Sequence, residues 1–203
     1  MNRPTIIAVI MGNEMEIEKP LGRRSIRLPE YDYSQPGEYY ITIVTKDREP
    51  LFGEIVDGEM RLNAMGEVVW EVWKTLPVRF PRIELGTSVV MPDHFHCIIH
   101  IMDVGAIPEV GAIRVGAIHE SPLRETQQET MVSRRRMLIP MVVGYFKMNT
   151  SKRINEMRDT PGFPVWQRNY HDRIIRTDEE YRGIEWYIAN NPANGEEDGC
   201  GFC

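Results

Sequence analysis

The stretch that most constrains this chain is Met91-Pro92-Asp93-His94-Phe95-His96-Cys97-Ile98-Ile99-His100-Ile101. Aromatic and β-branched residues dominate its second half, and Pro92 is tolerated only at a strand's start or edge. It therefore reads as a β-strand entered through a Pro92-Asp93 bend. Side chains alternate across a strand, so His94, His96, Ile98 and His100 share one face. Phe95, Cys97, Ile99 and Ile101 share the other, which demands a packed layer. Two imidazoles two residues apart can converge on one ion, and ordinary half-buried strand histidines give the same pattern. The strand alone does not choose.

The neighbouring segments supply the layers. Glu38–Thr45 is rich in strong β-formers, and Leu51–Val56 and Glu59–Leu62 flank Asp57-Gly58, the signature of a tight hairpin. Asn63 is placed to cap a helix from Ala64 to about Leu76. Met65, Val68, Val69, Val72, Trp73 and Leu76 form its apolar face, with Pro77 and Pro81 expected to close it. Ile83–Met91 is the strand before the histidines. A second helix is expected from about Pro140 to Met157, with Val142, Val143, Tyr145, Phe146, Met148 and Ile154 inward. Val165–Tyr170 with Ile174-Ile175 is the last extended segment. Thr177-Asp178-Glu179-Glu180 is a capping box opening a helix through Tyr181, Ile184, Tyr187 and Ile188, expected to stop at Asn191-Pro192. Strand, helix, two strands, helix, strand is the βαββαβ order of a ferredoxin-like α+β domain with an antiparallel sheet, here followed by an additional C-terminal helix.

Composition fits one such domain. The 203 residues suffice for a single core, with the domain spanning residues 23–194. Residues 1–22 read as a disordered leader, Met15 as an alternative start, and 195–203 as an acidic tail. Val-Gly-Ala-Ile occurs three times between Val104 and Ile118, too Gly-rich for helix, so residues from about 103 to 130 read as an inserted loop with His119 a bystander. The run Thr5–Met11 is too short to span a bilayer. Cys97, Cys200 and Cys203 imply no disulfide framework, which points to a cytoplasmic protein.

The net charge of −6 excludes a uniformly basic surface, yet Met131–Arg176 holds ten basic and three acidic residues, a net +7 that leaves −13 elsewhere. Such asymmetry suits one basic face turned to phosphates, or a solvated helix face. Arg134, Arg135, Arg136, Lys147, Lys152, Arg153, Arg168 and Arg173 are the candidate DNA contacts.

Tyr187 and Asn191 are four residues apart, so they share a helix face. If that face lies over His94 and His96, two imidazoles, an amide oxygen and a phenol meet. Such a set could hold a divalent ion with positions open for phosphate oxygens. A phenol's free pKa of ~10 means that, as a nucleophile, it needs a cation or an acceptor beside it. An aromatic core residue is the plain alternative for Tyr187.

Met91-Pro92-Asp93-His94-Phe95-His96 resembles the His-hydrophobic-His (HUH) motif of single-tyrosine transposases. Val165–Arg176 followed by Tyr187-Ile188-Ala189-Asn190-Asn191-Pro192 resembles the REP-associated tyrosine transposases, over roughly Arg23 to Asn194. The resemblance implies a metal-dependent endonuclease and strand transferase acting on single-stranded DNA near a hairpin. It also implies Mg²⁺ or Mn²⁺ held by His94, His96 and Asn191, and Tyr187 joined covalently to a 5′ phosphate. Asn191 matches the REP-associated branch, since the insertion-sequence branch carries glutamine there. A monomer or homodimer is expected. After Asn191-Pro192, Ala193-Asn194-Gly195 lacks the aromatic residue frequent in members. A catalytically inactive or domesticated hairpin-binding protein is the alternative within this resemblance, and a scaffold with a structural metal lies outside it.

Overall fold

Tyr39-Tyr40-Ile41-Thr42-Ile43-Val44 offers no residue that resists extension, and it forms the middle of β1 (Gly37–Val44) in a computed structural model that describes residues 31–103 and 137–194. The leader, the Val-Gly-Ala-Ile insertion with His119, Arg134, Arg135, Arg136 and the Cys-ended tail lie outside the described residues. After β1 come the hairpin β2 (Gly53–Val56) and β3 (Glu59–Leu62), α1 (Ala64–Arg79), β4 (Ile83–Val90) and β5 (His94–Ile101). Then follow α2 (Leu138–Arg158), β6 (His171–Ile175) and α3 (Asp178–Asn194). The main sheet runs β4-β5-β1-β6 with every neighbouring pair antiparallel, which is the expected ferredoxin-like arrangement.

The alternation on β5 sorts the molecule into layers. Phe95, Cys97, Ile99 and Ile101, with Tyr39, Ile41 and Ile43 of β1, are buried against Val69, Val72, Trp73 and Leu76 of α1 and Ile139, Val142, Val143 and Phe146 of α2. Phe95 lies 5.2 Å from the Trp73 ring and 5.2 Å from the Phe146 ring, centroid to centroid. The opposite face carries Tyr40, Ile98 and Ile175, and α3 covers it with Ile188, Tyr181, Ile184 and Tyr187. The histidine face therefore lies under the additional C-terminal helix. Among the described residues no helix is long and apolar enough to cross a membrane.

Element ends differ from the sequence reading in instructive ways. α1 runs through Pro77 to Arg79, and α3 runs through Pro192 to Asn194. Proline removes one helical donor, but Trp73, Leu76 and Asn191 are buried, and tertiary packing carries the turns that propensity disfavours. Pro140 falls in the first turn of α2, where it is harmless. Of the expected extended segment, Val165–Tyr170 with Ile174-Ile175, only the second part falls in a strand, His171–Ile175, because Trp166 makes only an isolated bridge to Thr45 and buries its indole, with Nε1 donating to Thr150 Oγ1 at 2.8 Å. Asp57 (φ 54°) and Gly58 (φ 74°) both take positive φ, as a two-residue type I′ hairpin requires. At α3, Glu180 N–H donates to Thr177 Oγ1 at 3.2 Å, while Glu180 Oε2 accepts from Arg176 N–H at 3.0 Å, one residue earlier than a capping box prescribes.

Asn63 caps α1, its Oδ1 accepting from Met65 and Gly66 N–H at 2.9 and 3.0 Å while its Nδ2 donates to the Leu51 carbonyl at 2.9 Å. This cap presses the first helical turn onto the segment before β2. A Cβ on Gly66 would lie 2.2 Å from the Phe52 carbonyl oxygen. Gly→Ala in a helix normally gains about 1 kcal/mol, but backbone cannot yield as a side chain does. Gly66→Ala is therefore expected to lower the melting temperature, and an unchanged or raised value in a thermal scan would refute this packing.

Candidate active site between the sheet and the last helix

β4 passes to β5 through Met91-Pro92-Asp93, closed by Met91 N–H donating to the His94 carbonyl at 2.8 Å. Thr45 N–H donates to the Asp93 carbonyl at 2.8 Å and Phe52 N–H to the Pro92 carbonyl at 3.1 Å, so the bend is tied to two other segments. The Asp93 carboxylate is shared: Oδ1 lies 2.5 Å from His94 Nδ1, and Oδ2 lies 3.3 Å from Arg48 Nη1. Burial alone would raise the Asp93 pKa, but the hydrogen bond and charge of His94, with Arg48, hold it below the ordinary carboxylate value.

The β1–β5 register sets Thr42 opposite His96 and Tyr40 opposite Ile98. His96 Nδ1 meets the Tyr40 hydroxyl at 2.8 Å and Thr42 Oγ1 at 2.9 Å. Burial first, and the adjacent His94 second, push the His96 pKa down to about 3 against the pull of Asp93. Both imidazoles thus have Nδ1 engaged, which leaves Nε2 as the nitrogen available to a ligand. Their centroids are 4.5 Å apart, at 75°.

The low His96 pKa has a stability consequence. Between pH 6.5, the ordinary histidine value, and about 3, the unfolded chain holds a proton at this position that the native state excludes. Stability is complete above 6.5 and falls with acid at a slope approaching 1.4 kcal/mol per pH unit for this group. Urea midpoints measured from pH 7 to 4 are expected to decline. A replacement of His96 by Gln should flatten the decline, and an equal slope in both proteins would count against a buried neutral imidazole.

α3 brings the remaining groups. The Tyr187 ring centroid is 5.5 Å from that of His96. Asn191, one turn on, is fully buried, and neither its Oδ1 nor its Nδ2 has a hydrogen-bond partner among the described residues. The helix end reaches the β2–β3 turn, where a Cβ on Gly58 would lie 3.6 Å from Ala193 Cα. His94, His96 and Tyr187 are therefore gathered at one end of the α3–sheet interface. His100, on the same strand face, is engaged elsewhere: its Nδ1 is 3.3 Å from Glu38 Oε1 and its ring 5.7 Å from Tyr181. Among the described residues no group of three or more His, Cys, Asp or Glu is placed to hold a metal ion, so a site of the expected kind would draw on the Asn191 amide.

The basic residues of α2 are not gathered with them. Lys147, Lys152 and Arg153 ride on α2, in the layer on the opposite face of the sheet. The Lys147 ammonium donates to the carbonyls of Gln167, Arg168 and Asn169 at 2.5, 3.1 and 3.3 Å, tying α2 to the approach of β6. Arg153 pairs with Glu71 at 2.5 Å and Arg173 with Glu180 at 2.6 Å, while Arg168 is exposed. Three participants escaped the sequence reading. Asp93 was signalled by its place directly before His94, but Tyr40 and Thr42 depend on the β1–β5 register, which local sequence does not encode.

No family model matches the chain. An uncharacterized protein of Haemophilus influenzae (strain ATCC 51907 / DSM 11121 / KW20 / Rd) is 35% identical over 176 residues, covering 87% of this chain and 91% of that one. The chain belongs to the family of that protein. Among solved structures, a REP-associated tyrosine transposase bound to a REP hairpin aligns with 83% of this chain and 73% of its own, at 18% identity and a TM-score of 0.46. A transposase candidate from Deinococcus radiodurans R1 aligns with 81% and 95%, at 16% identity and a TM-score of 0.42. Neither likeness reaches a TM-score of 0.5.

Proposed function

We propose that this protein is a transposase-type endonuclease that cuts single-stranded DNA beside a hairpin, with Tyr187 as nucleophile. The observation that carries the reading is the convergence of the His94–His96 pair with Tyr187, whose ring lies 5.5 Å from that of His96, on a helix that buries Asn191. The motif resemblance of Met91–His96 and of Tyr187–Pro192 supports the same roles.

The residues fit a divalent cation, Mg²⁺ or Mn²⁺. His96 is held neutral, each Nδ1 is engaged, and the buried Asn191 carbonyl oxygen lacks a partner among the described residues. His94 and His96, through Nε2, and Asn191, through its amide oxygen, would hold the ion. When bound, it supplies Lewis-acid withdrawal of charge from a phosphate. A buried, unpartnered amide costs about 1–3 kcal/mol, and an ion is the kind of ligand that would offset that cost.

In the proposed step the Tyr187 phenol gives its proton to solvent and its oxygen attacks phosphorus. The bond from phosphorus to the 3′ oxygen breaks, and that oxygen takes up one proton as a free hydroxyl. The new phosphotyrosine ester preserves one phosphodiester linkage for another, so attack by a 3′ hydroxyl restores DNA without a nucleotide cofactor. Incubation with end-labelled hairpin DNA and Mn²⁺ should give a band shifted on a denaturing gel. Salt-dependent binding without adduct, insensitive to chelator, would replace this reading with a non-catalytic hairpin binder. Metal retention without DNA affinity would replace it with a structural metal site.

A further inference from the structure

The turn after β1 holds the most unusual backbone in the described chain. Asp47 and Arg48 are consecutive non-glycine residues in the left-handed region, φ 56° and 55°. Asp visits this region with modest cost, but a long side chain such as that of Arg does so only where surroundings impose it. Here Lys46 N–H donates to the Val165 carbonyl at 2.8 Å, Arg48 N–H to the Thr45 carbonyl at 3.3 Å, and the Thr45 hydroxyl to the Glu49 carbonyl at 2.9 Å. With Thr45 N–H on the Asp93 carbonyl, these bonds lock the turn against the bend that precedes His94.

The outcome is a guanidinium presented at the edge of the candidate site. The Arg48 side chain is 55% exposed, and its Nη1 touches Asp93 Oδ2 at 3.3 Å while Oδ1 of the same carboxylate holds His94. A guanidinium has five N–H donors, so one bond to Asp93 leaves most of the fork to a further acceptor. The carboxylate by itself would repel an approaching phosphate, and the adjacent cation cancels that repulsion.

We propose that Arg48 is a phosphate contact of this site: a DNA strand lying at His94 and His96 sets a phosphate oxygen against the Arg48 guanidinium. Asp93 is then a positioning residue for two groups, the imidazole and the guanidinium. This rests on the endonuclease reading above and names a DNA contact outside the basic segment Met131–Arg176.

Arg48→Gly removes the cation yet suits the left-handed backbone, so its melting temperature should not fall. Hairpin DNA affinity, measured by anisotropy with the uncleaving Tyr187→Phe protein as background, should drop on the order of tenfold or more. The plot of log affinity against log salt should flatten by roughly 0.7, the value for one phosphate on a single strand. Mn²⁺ affinity should stay within about twofold. Arg48→Lys should keep most of the salt slope, whereas Asp93→Asn should weaken Mn²⁺ binding by about 10–100-fold. An unchanged DNA affinity and slope in Arg48→Gly, or a loss of DNA affinity accompanied by an equal loss of Mn²⁺ affinity, would overturn the proposal. If His94→Ala and His96→Ala leave Mn²⁺ binding and adduct untouched, the endonuclease reading fails instead, while the Arg48 slope still reports a phosphate contact or its absence.

Discussion

Tyr187→Phe is expected to abolish the covalent DNA adduct, by roughly 10⁴-fold or more, while the protein still binds hairpin DNA and Mn²⁺. The substitution deletes one oxygen and keeps the ring beside His96 and against the apolar cluster of Tyr40, Ile98, Ile175 and Ile188. Its effect on stability should accordingly stay near 1 kcal/mol, so a missing adduct cannot be blamed on unfolding. Two other phenols make internal controls. Tyr181 lies on the same helix, but burial and the carboxylates of Glu185 and Glu38 raise its pKa, the wrong direction for a nucleophile. The Tyr40 hydroxyl is engaged with His96 Nδ1, on the ring edge away from Nε2. Tyr181→Phe and Tyr40→Phe should both retain an adduct. An adduct that survives in Tyr187→Phe and vanishes in either control would move the nucleophile.

The second large effect concerns the ion. His96→Ala should cost at least the 10–100-fold in Mn²⁺ affinity that loss of a supporting partner costs, read by calorimetry or by the Mn²⁺ electron paramagnetic signal. It also removes His96 Nδ1 from the Tyr40 and Thr42 hydroxyls at a buried position, a cost of about 1–3 kcal/mol. Weakened metal binding by this variant alone could thus reflect a loosened fold. Asn191→Leu separates the two causes. It replaces an amide that has no partner among the described residues with an apolar group of similar volume, so the metal-free protein should melt higher. Its Mn²⁺ affinity should nonetheless fall. A variant with higher melting temperature and undiminished Mn²⁺ binding would remove Asn191 from the site.

Much of the fold was legible because its signals are local. Asp57-Gly58 marks a hairpin through the positive φ that both residues adopt, and Asn63 marks a helix start through the two N–H groups it caps. Proline was over-read at 77 and 192, since a helix end depends on what packing supports it as well as on one missing donor. Trp166 misled for a related reason: aromatic, β-prone sequence was spent on a buried indole instead of a strand. The excess of basic residues between Met131 and Arg176 is real in sequence, but α2 carries its share to the layer opposite the histidines, and Lys147 ties down three carbonyls.

The division follows from the range of each interaction. By itself the sequence determined that His94 and His96 share a strand face and that Tyr187 and Asn191 share a helix face, because the periods of strand and helix are properties of neighbouring residues. It could not determine that the two faces meet. That depends on α3 folding back across the sheet, on a register that sets Thr42 against His96, and on a bend at Asp93 held by segments far away in the chain. Those are long-range contacts, selected by how apolar area is buried over the whole domain. Only they turn two unremarkable histidines into a pair with Nδ1 engaged, a phenol beside them and a guanidinium at the edge.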